Sequence, residues 1–359
     1  MKTRTVAALL VLTVAAWADY RNALPGYPYE FPRDHFNHPE FKTEWWYYTG
    51  NLRAADGHRF GFELTFFRVG TGDTKTARNV WDIPDVWLAH LALSDIDGKR
   101  FFHTQRLNRA GTGLAGADQR QERVWNGNWF VELKPEMQRL EAVADEFRIG
   151  LSFSPAKPPV IHGINGVSQK AAGEGRASHY ISFTRLIAKG SVIVGGRQFT
   201  VDGLAWMDHE FFTNWLDRDQ AGWDWFSMQF EDGTELMLGR LRRKDGSTDP
   251  YSAGTFVDKD GRGRHLTVSD FVVTPGPLWT SKETGGRYPV EWTVRVPPLG
   301  IEAAVTTRLP DQELTSKLSG MPVYWEGAIE ISGKRGGAPL NGTGYLEMTG
   351  YAGQVRLGR

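Results

Sequence analysis

The residues of this 359-residue chain that could do chemistry are few, and they sit in apolar company. Asp208-His209-Glu210 follows Ala205-Trp206-Met207 and runs directly into Phe211-Phe212. Asp224 lies between Trp223 and Trp225, Glu44 precedes Trp45-Trp46, Glu63 interrupts Phe62 and Leu64, and His90 sits within Trp87-Leu88-Ala89-His90-Leu91. A carboxylate in apolar surroundings is costly unless it is paired, so each of these acids needs a partner or a function. For Glu63, strand alternation with the side chain facing water or an arginine is a sufficient account. Asp208-His209-Glu210 is harder to dismiss. Three adjacent ionisable groups between two aromatic runs read as a site, and equally as a buried salt-bridge network joining two domains.

In an extended strand only Asp208 and Glu210 share a face, so a metal centre there would need ligands from elsewhere. His35 and His38, near Pro32 and Pro39, read as turn residues. No His-Glu-x-x-His, Gly-x-Ser-x-Gly or Walker sequence occurs. Cysteine is absent, which excludes disulfides, thiolate nucleophiles, Cys-ligated zinc and iron–sulfur clusters. The expectation is a site with no metal and no cofactor.

The elements that carry these residues read as strands. Asp-Gly or Asn-Gly pairs recur at Asp56-Gly57, Asp97-Gly98, Asn126-Gly127, Asp202-Gly203, Asp232-Gly233, Asp245-Gly246, Asp260-Gly261 and Asn341-Gly342. Such pairs tolerate the positive φ of tight hairpins. Between them apolar residues alternate, as in Phe60, Phe62, Leu64 and Phe66, or Phe147, Ile149, Leu151 and Phe153. The best helical window, Lys134–Phe147, fits a hairpin as well. With Trp 14, Phe 20, Tyr 11 and Gly 41, the composition predicts aromatic sheets joined by tight turns.

A faint internal repeat divides the chain. EWWYYTGNL (44–52), Asp56-Gly57 and RFGFELTFFR (59–68) resemble WDWFSMQF (223–230), Asp232-Gly233 and TELMLGRLR (234–242). LAHLALSDIDG (88–98) then matches AGTFVDKDG (253–261), and Asp202–Asp208 matches Asn341–Glu347. Three matches in one order predict an all-β chain of two antiparallel β-barrel or sandwich domains related by duplication. The boundaries so drawn are an N-terminal arm at 19–40 and domains at 41–210 and 211–359.

Along Glu44–Gly50, Glu44, Trp46 and Tyr48 share one face and Trp45, Tyr47 and Thr49 the other. Both faces are aromatic, so this strand is buried on both or lines a cavity on one. A wall of indole and phenol rings suits a large apolar or polyene ligand, and core packing is the competing account. The candidate ligand contacts are Trp46, Tyr48, Trp206, Glu210, Trp223, Trp225 and Trp325, with Asp208, His209 and Asp224 as candidate catalytic groups.

Lys2 and Arg4 precede an apolar run, Ala7–Ala16, and Ala16-Trp17-Ala18 has the small-x-small form of a cleavage site. Residues 1–18 therefore read as a signal peptide, too short to span a bilayer, with a soluble periplasmic or secreted product. Lys+Arg 42 balances Asp+Glu 42, which removes the electrostatic argument for nucleic-acid binding. A small apolar molecule is the expected partner.

HPEFKTEWWYYTGNL (38–52), FGFELTFFR (60–68), AWMDHE (205–210), GWDWF (222–226), YWEG (324–327) and GYLEMTGY (344–351) together resemble the AttH/CrtC-type lipocalin-like family, over roughly residues 30–352. That family includes predicted secreted hydrolases and carotenoid 1,2-hydratase. The resemblance implies two lipocalin-like β domains with a ligand pocket at or near their interface. Fungal relatives of this architecture are associated with hydration or with pericyclic cyclisation of polyenes. It implies a hydration chemistry in which Asp208 or Asp224 is a neutral carboxylic acid that protonates an alkene. Trp206, Trp223 and Trp225 would cage the resulting cation, and His209 would orient the attacking water. It also implies further acidic and tyrosine residues on the strand Thr234–Arg240, where this chain reads Leu236-Met237-Leu238. Three functions follow: a lyase or hydrolase acting on a long apolar substrate, a non-catalytic isoprenoid or lipid carrier, and an envelope accessory protein.

Overall fold

The computed structural model describes residues 20–72, 83–214, 217–316 and 323–353. The expected signal peptide, residues 1–18, lies outside the described residues. No α-helix occurs among them.

The first sheet contains β1 (Thr43–Ala54), β2 (Arg59–Gly70), β3 (Asp85–Asp95), β4 (Arg100–Arg109), β5 (Ala115–Asp118) and β6 (Arg123–Asn126). It continues with β7 (Trp129–Leu133), β8 (Gln138–Val143), β9 (Phe147–Pro155), the short β10 (Val160–Ile161) and β11 (Ser168–Gln169), and the long β12 (Ala177–Val194) and β13 (Arg197–Phe212). Its order is β4-β3-β2-β1-β13-β12-β9-β8-β7-β6-β5, wrapped into a nearly closed barrel. The window Lys134–Phe147 resolves as the β8–β9 hairpin.

The second sheet contains β14 (Gln220–Phe230), β15 (Glu235–Arg243), β16 (Ala253–Val257), β17 (Gly263–Thr267) and β18 (Val272–Pro275). A separate hairpin, β19 (Leu278–Thr280) with β20 (Arg287–Pro289), intervenes. Then follow β21 (Glu291–Val296), β22 (Ile301–Thr306), β23 (Glu313–Leu314), β24 (Tyr324–Arg335) and β25 (Ala338–Thr349). The order β17-β16-β15-β14-β25-β24-β22-β21-β18 forms a half-barrel.

The two orders are one topology written twice: four meandering strands, then the last strand of the unit returning to pair with the first. The three sequence matches fall on equivalent elements, β1–β2 with β14–β15, β3–β4 with β16–β17, and β13 with β25. The first sheet runs through Phe212 and the second begins at Gln220, so a boundary at 210/211 cuts two residues from β13.

The Asp-Gly pairs divide by role. Gly57 (φ +89°) and Gly233 (φ +83°) close equivalent hairpins, as expected. Gly203 and Gly342 are not turn residues. They sit inside β13 and β25, where a Cβ would lie 2.0 Å from the Asn51 carbonyl and 2.4 Å from the Gln229 carbonyl. Glycine at these two places permits the close approach of each returning strand to the first strand of its unit.

Alternation of period two sends Trp46, Tyr48, Phe60, Phe62 and Leu64 into the first barrel and Phe226, Met228, Leu236 and Leu238 into the second core. The opposite faces meet at a seam of Tyr47, Tyr180, Trp206, Trp225, Met237 and Tyr345. Both expectations for β1 hold at once, since one face is core and the other is interface. Buried Glu235 anchors Lys157 (2.6 Å) and Arg185 (2.5 Å) across the seam. The Gln229 amide donates to the carbonyls of Thr184 (2.8 Å) and Ala205 (2.9 Å).

Candidate functional site

The seam is not closed along its length. It opens into a cavity of about 1030 Å³, mouth included, walled by both sheets. Trp45 and Tyr47 of β1 and Thr65 and Phe67 of β2 face it from the first domain. Trp223, Trp225, Met237, Leu241 and Tyr324 face it from the second. This lining suits a mostly apolar ligand with a few fixed polar contacts.

Four carboxyl groups interrupt the apolar wall: Asp208, Glu210, Glu326 and Glu347. Asp208 accepts hydrogen bonds from the Tyr180 hydroxyl (2.5 Å), the Trp206 indole (2.6 Å) and the Ser182 hydroxyl. Those donors favour the carboxylate. Burial outweighs them and pushes Asp208 up to about 7, within reach of both protonation states near neutral pH. Behind Ser182 stands His162, whose Nε2 is 2.6 Å from Ser182 Oγ and whose Nδ1 is 2.8 Å from Thr255 Oγ1 on β16. Burial lowers His162 to about 3, so it is neutral. The Trp225 indole donates to the Tyr180 oxygen (2.9 Å), which extends the network to the cavity wall.

Glu210 is ion-paired with Lys170 (3.0 Å) and accepts from Ser178. Glu326 accepts from the Tyr47 hydroxyl (2.7 Å), and its second carboxyl oxygen is buried without a partner. Burial and then the nearby Glu347 raise Glu326 well above the usual carboxylate range. Glu347 accepts from the Trp223 side chain and is pushed up to about 8, chiefly by burial.

Of the ten residues marked from the sequence, the structure brings Asp208, Glu210, Trp223 and Trp225 to the cavity and sets Trp206 directly behind Asp208. The other five are elsewhere. Trp46 and Tyr48 point into the first barrel, one residue out of phase with the cavity-facing Trp45 and Tyr47. Trp325 is buried in the second core, its indole donating to the Pro310 carbonyl (2.7 Å), while its neighbours Tyr324 and Glu326 face the cavity. These are corrections of strand parity: a shift of one residue exchanges the faces.

The catalytic assignments of His209 and Asp224 are corrected for the same reason. His209 projects from the far face of β13 and is fully buried between Glu44 (2.8 Å) and the Asp34 carbonyl (3.1 Å). Asp224 is clamped by Arg242 (2.5 Å), Arg240 (3.1 Å) and the Tyr351 hydroxyl (2.9 Å). Glu63 meets neither water nor arginine; it is fully buried and accepts from Thr65. Glu347 was legible through the repeat, since it occupies the place of Asp208 in the matched segment. Glu326 went unmarked, although a carboxyl directly after Tyr324-Trp325 is the same kind of signal.

One set of side chains could present three ligand atoms to a metal ion: His38, Glu44 and His209. Glu44 Oε1 lies 2.7 Å from His38 Nδ1 and 2.8 Å from His209 Nε2, the spacing of direct hydrogen bonds. Arg68 (3.2 Å) covers the other Glu44 oxygen, and Asp34 takes His38 Nε2 (3.1 Å). The set pins the N-terminal arm to β1 and β13.

Two curved antiparallel sheets of matching topology, with an aromatic and acidic cavity between them, define a two-domain lipocalin-like protein. Residues 22–351 match the AttH-like family, and the chain belongs to that family. A solved AttH-type structure from Nitrosomonas europaea is 34% identical, covering 92% of this chain and 99% of its own, with a TM-score of 0.82. Kievitone hydratase from Nectria haematococca shares the fold at a TM-score of 0.69 and 13% identity, covering 93% of this chain and 97% of its own. Dehydratase asqC of Emericella nidulans is 23% identical over 220 residues, 59% of this chain and 61% of that protein. The chain thus matches about three fifths of that curated relative's length. No helix among the described residues is long and apolar enough to cross a membrane.

Proposed function

We propose that this protein is a lyase that adds water to, or removes it from, a carbon–carbon double bond of a large apolar substrate held between the two sheets. The observation that carries this reading is the Asp208 carboxyl, buried on an aromatic cavity wall and poised near neutrality by desolvation. An acid of that strength can protonate an alkene or take the proton released by attacking water. The faces of Trp45, Trp223 and Trp225 supply quadrupole stabilisation of a developing cation, about 0.5–2 kcal/mol each. The names of the relatives, a hydratase and a dehydratase, agree with this class of reaction.

A carrier function is the second reading. It is favoured by the full set of donors on Asp208, since Tyr180, Ser182 and Trp206 would equally satisfy a structural carboxylate. Incubation with an acyclic carotenoid and with kievitone in ¹⁸O-labelled water separates the two. The lyase reading expects a product heavier by one labelled water, and a loss of about 100-fold or more in Asp208→Asn. Bound ligand recovered unchanged from wild-type protein, or full activity in the variant, refutes it. We further propose export through residues 1–18, so that the mature chain isolated from its source begins at Asp19.

A further inference from the structure

The duplication can be followed to single residues at the cavity. In the first unit Thr65 of β2 stands opposite Tyr47 of β1, Tyr47 opposite Asp208 of β13, and Asp208 opposite Ser182 of β12. In the second, Gly239 of β15 stands opposite Trp225 of β14, Trp225 opposite Glu347 of β25, and Glu347 opposite Glu326 of β24. Asp208 and Glu347 therefore hold the same position in two copies of one motif. Of these two rows only Ser182 does not line the shared cavity. The pseudo-symmetry thus delivers one carboxyl from each domain to the same hollow.

We propose that Glu347 is the second acid–base residue of this cavity, the counterpart of Asp208 in the other domain, and that the two carry the two proton transfers of water addition or removal. This rests on the lyase reading above.

The surroundings divide the roles. Asp208 is held by three donors, which favour its carboxylate. Glu347 has the Trp223 side chain as its hydrogen-bond donor, and burial, with the charges of Asp208 and Glu210 behind it, favours its acid form. The titratable groups that act on this cluster are Glu326, Tyr324 and Tyr345 from the second domain and Asp208, Glu210, Glu63, Tyr47 and Tyr180 from the first. Lys170, which also lines the cavity, is paired with Glu210. In keeping with this, burial leaves Glu347 at about 8 and Asp208 at about 7.

In hydration, the Glu347 carboxyl gives its proton to one alkene carbon, and the π pair forms that C–H bond. The other carbon, left electron-deficient beside the Trp225 and Tyr47 rings, bonds to a water oxygen. Asp208 takes the proton that this oxygen releases. Glu347 ends as carboxylate and Asp208 as acid, and one proton exchanged with solvent restores both. Dehydration is the same sequence reversed, and no oxidant or reductant is consumed.

Infrared difference titration of the full substrate-free chain tests the pairing without a substrate. Wild type, Asp208→Asn and Glu347→Gln are compared, with circular dichroism as the check on folding. Removing either carboxyl should lower the titration midpoint of the other by about half a pH unit or more. Unmoved midpoints overturn the pairing. With an acyclic carotenoid or kievitone in labelled water, Glu347→Gln should lose about 100-fold or more and one limb of the pH–rate profile. Glu347→Asp should recover part of the rate. Full activity of Glu347→Gln overturns the role of Glu347 and leaves the lyase reading standing, whereas an inert wild type overturns both.

Discussion

Replacing Glu63 by glutamine isolates what it costs this fold to bury a carboxyl beside the cavity cluster. Glu63 is fully buried on β2; one oxygen accepts from Thr65 and the other has no partner. Burial, and secondarily the charge of Glu347, push it from 4.5 up to about 8. Across that interval the folded chain keeps a proton that the unfolded chain has released, so unfolding releases a proton and rising pH favours it. Each pH unit costs about 1.4 kcal/mol. Below pH 4.5 the group is neutral in both states and costs nothing by this route. Between pH 5 and 8 the penalty grows by about 3 kcal/mol, to about 4 kcal/mol. Glutamine retains an acceptor for the Thr65 hydroxyl and cannot ionise. Urea unfolding followed by tryptophan fluorescence should therefore show wild type losing about 3 kcal/mol relative to Glu63→Gln over this range. Parallel stability–pH curves for the two proteins would refute the claim that Glu63 is held protonated.

Asp224→Asn should destabilise the chain by about 3–5 kcal/mol, because the Arg240 and Arg242 guanidinium groups would then face each other without a counter-charge. A loss below 1 kcal/mol in chemical denaturation would show that this clamp is not structural. The N-terminal arm should loosen at high pH. Against burial, Glu44 and Asp34 hold His38 up to about 9, so its contribution is complete below its ordinary 6.5 and disappears as pH rises through about 9. Limited proteolysis read by mass spectrometry should show residues 20–42 becoming cleavable between pH 7 and 10, and at lower pH in Glu44→Gln. An arm equally protected at pH 7 and pH 10 would exclude this latch.

Much of this architecture was written locally. The alternation in Phe60–Phe66, the Asp-Gly turns at 56–57 and 232–233, and the matched segments in one order were enough to predict two related β domains, because hairpin pairing and strand period are properties of short stretches. Of the four cavity acids, Asp208 and Glu210 were visible as carboxyls inside apolar runs. Their roles were not. Asp208, Glu210 and Asp224 looked alike in sequence, yet the second sheet closes over the first two, while Asp224 turns to the other face and meets Arg240 and Arg242.

The sequence by itself determined the strands, their duplication and the presence of two aromatic faces on Thr43–Ala54. Only the tertiary structure decided which face became barrel core and which became cavity, and hence that Trp45 and Tyr47, not Trp46 and Tyr48, line the hollow. Period two defines two faces without naming the inner one, and where both are aromatic the choice belongs to the opposing sheet. The same holds for proton affinity. Asp208 and Glu347 are 139 positions apart in the chain, and each is driven toward neutrality by a wall that the other domain helps to build.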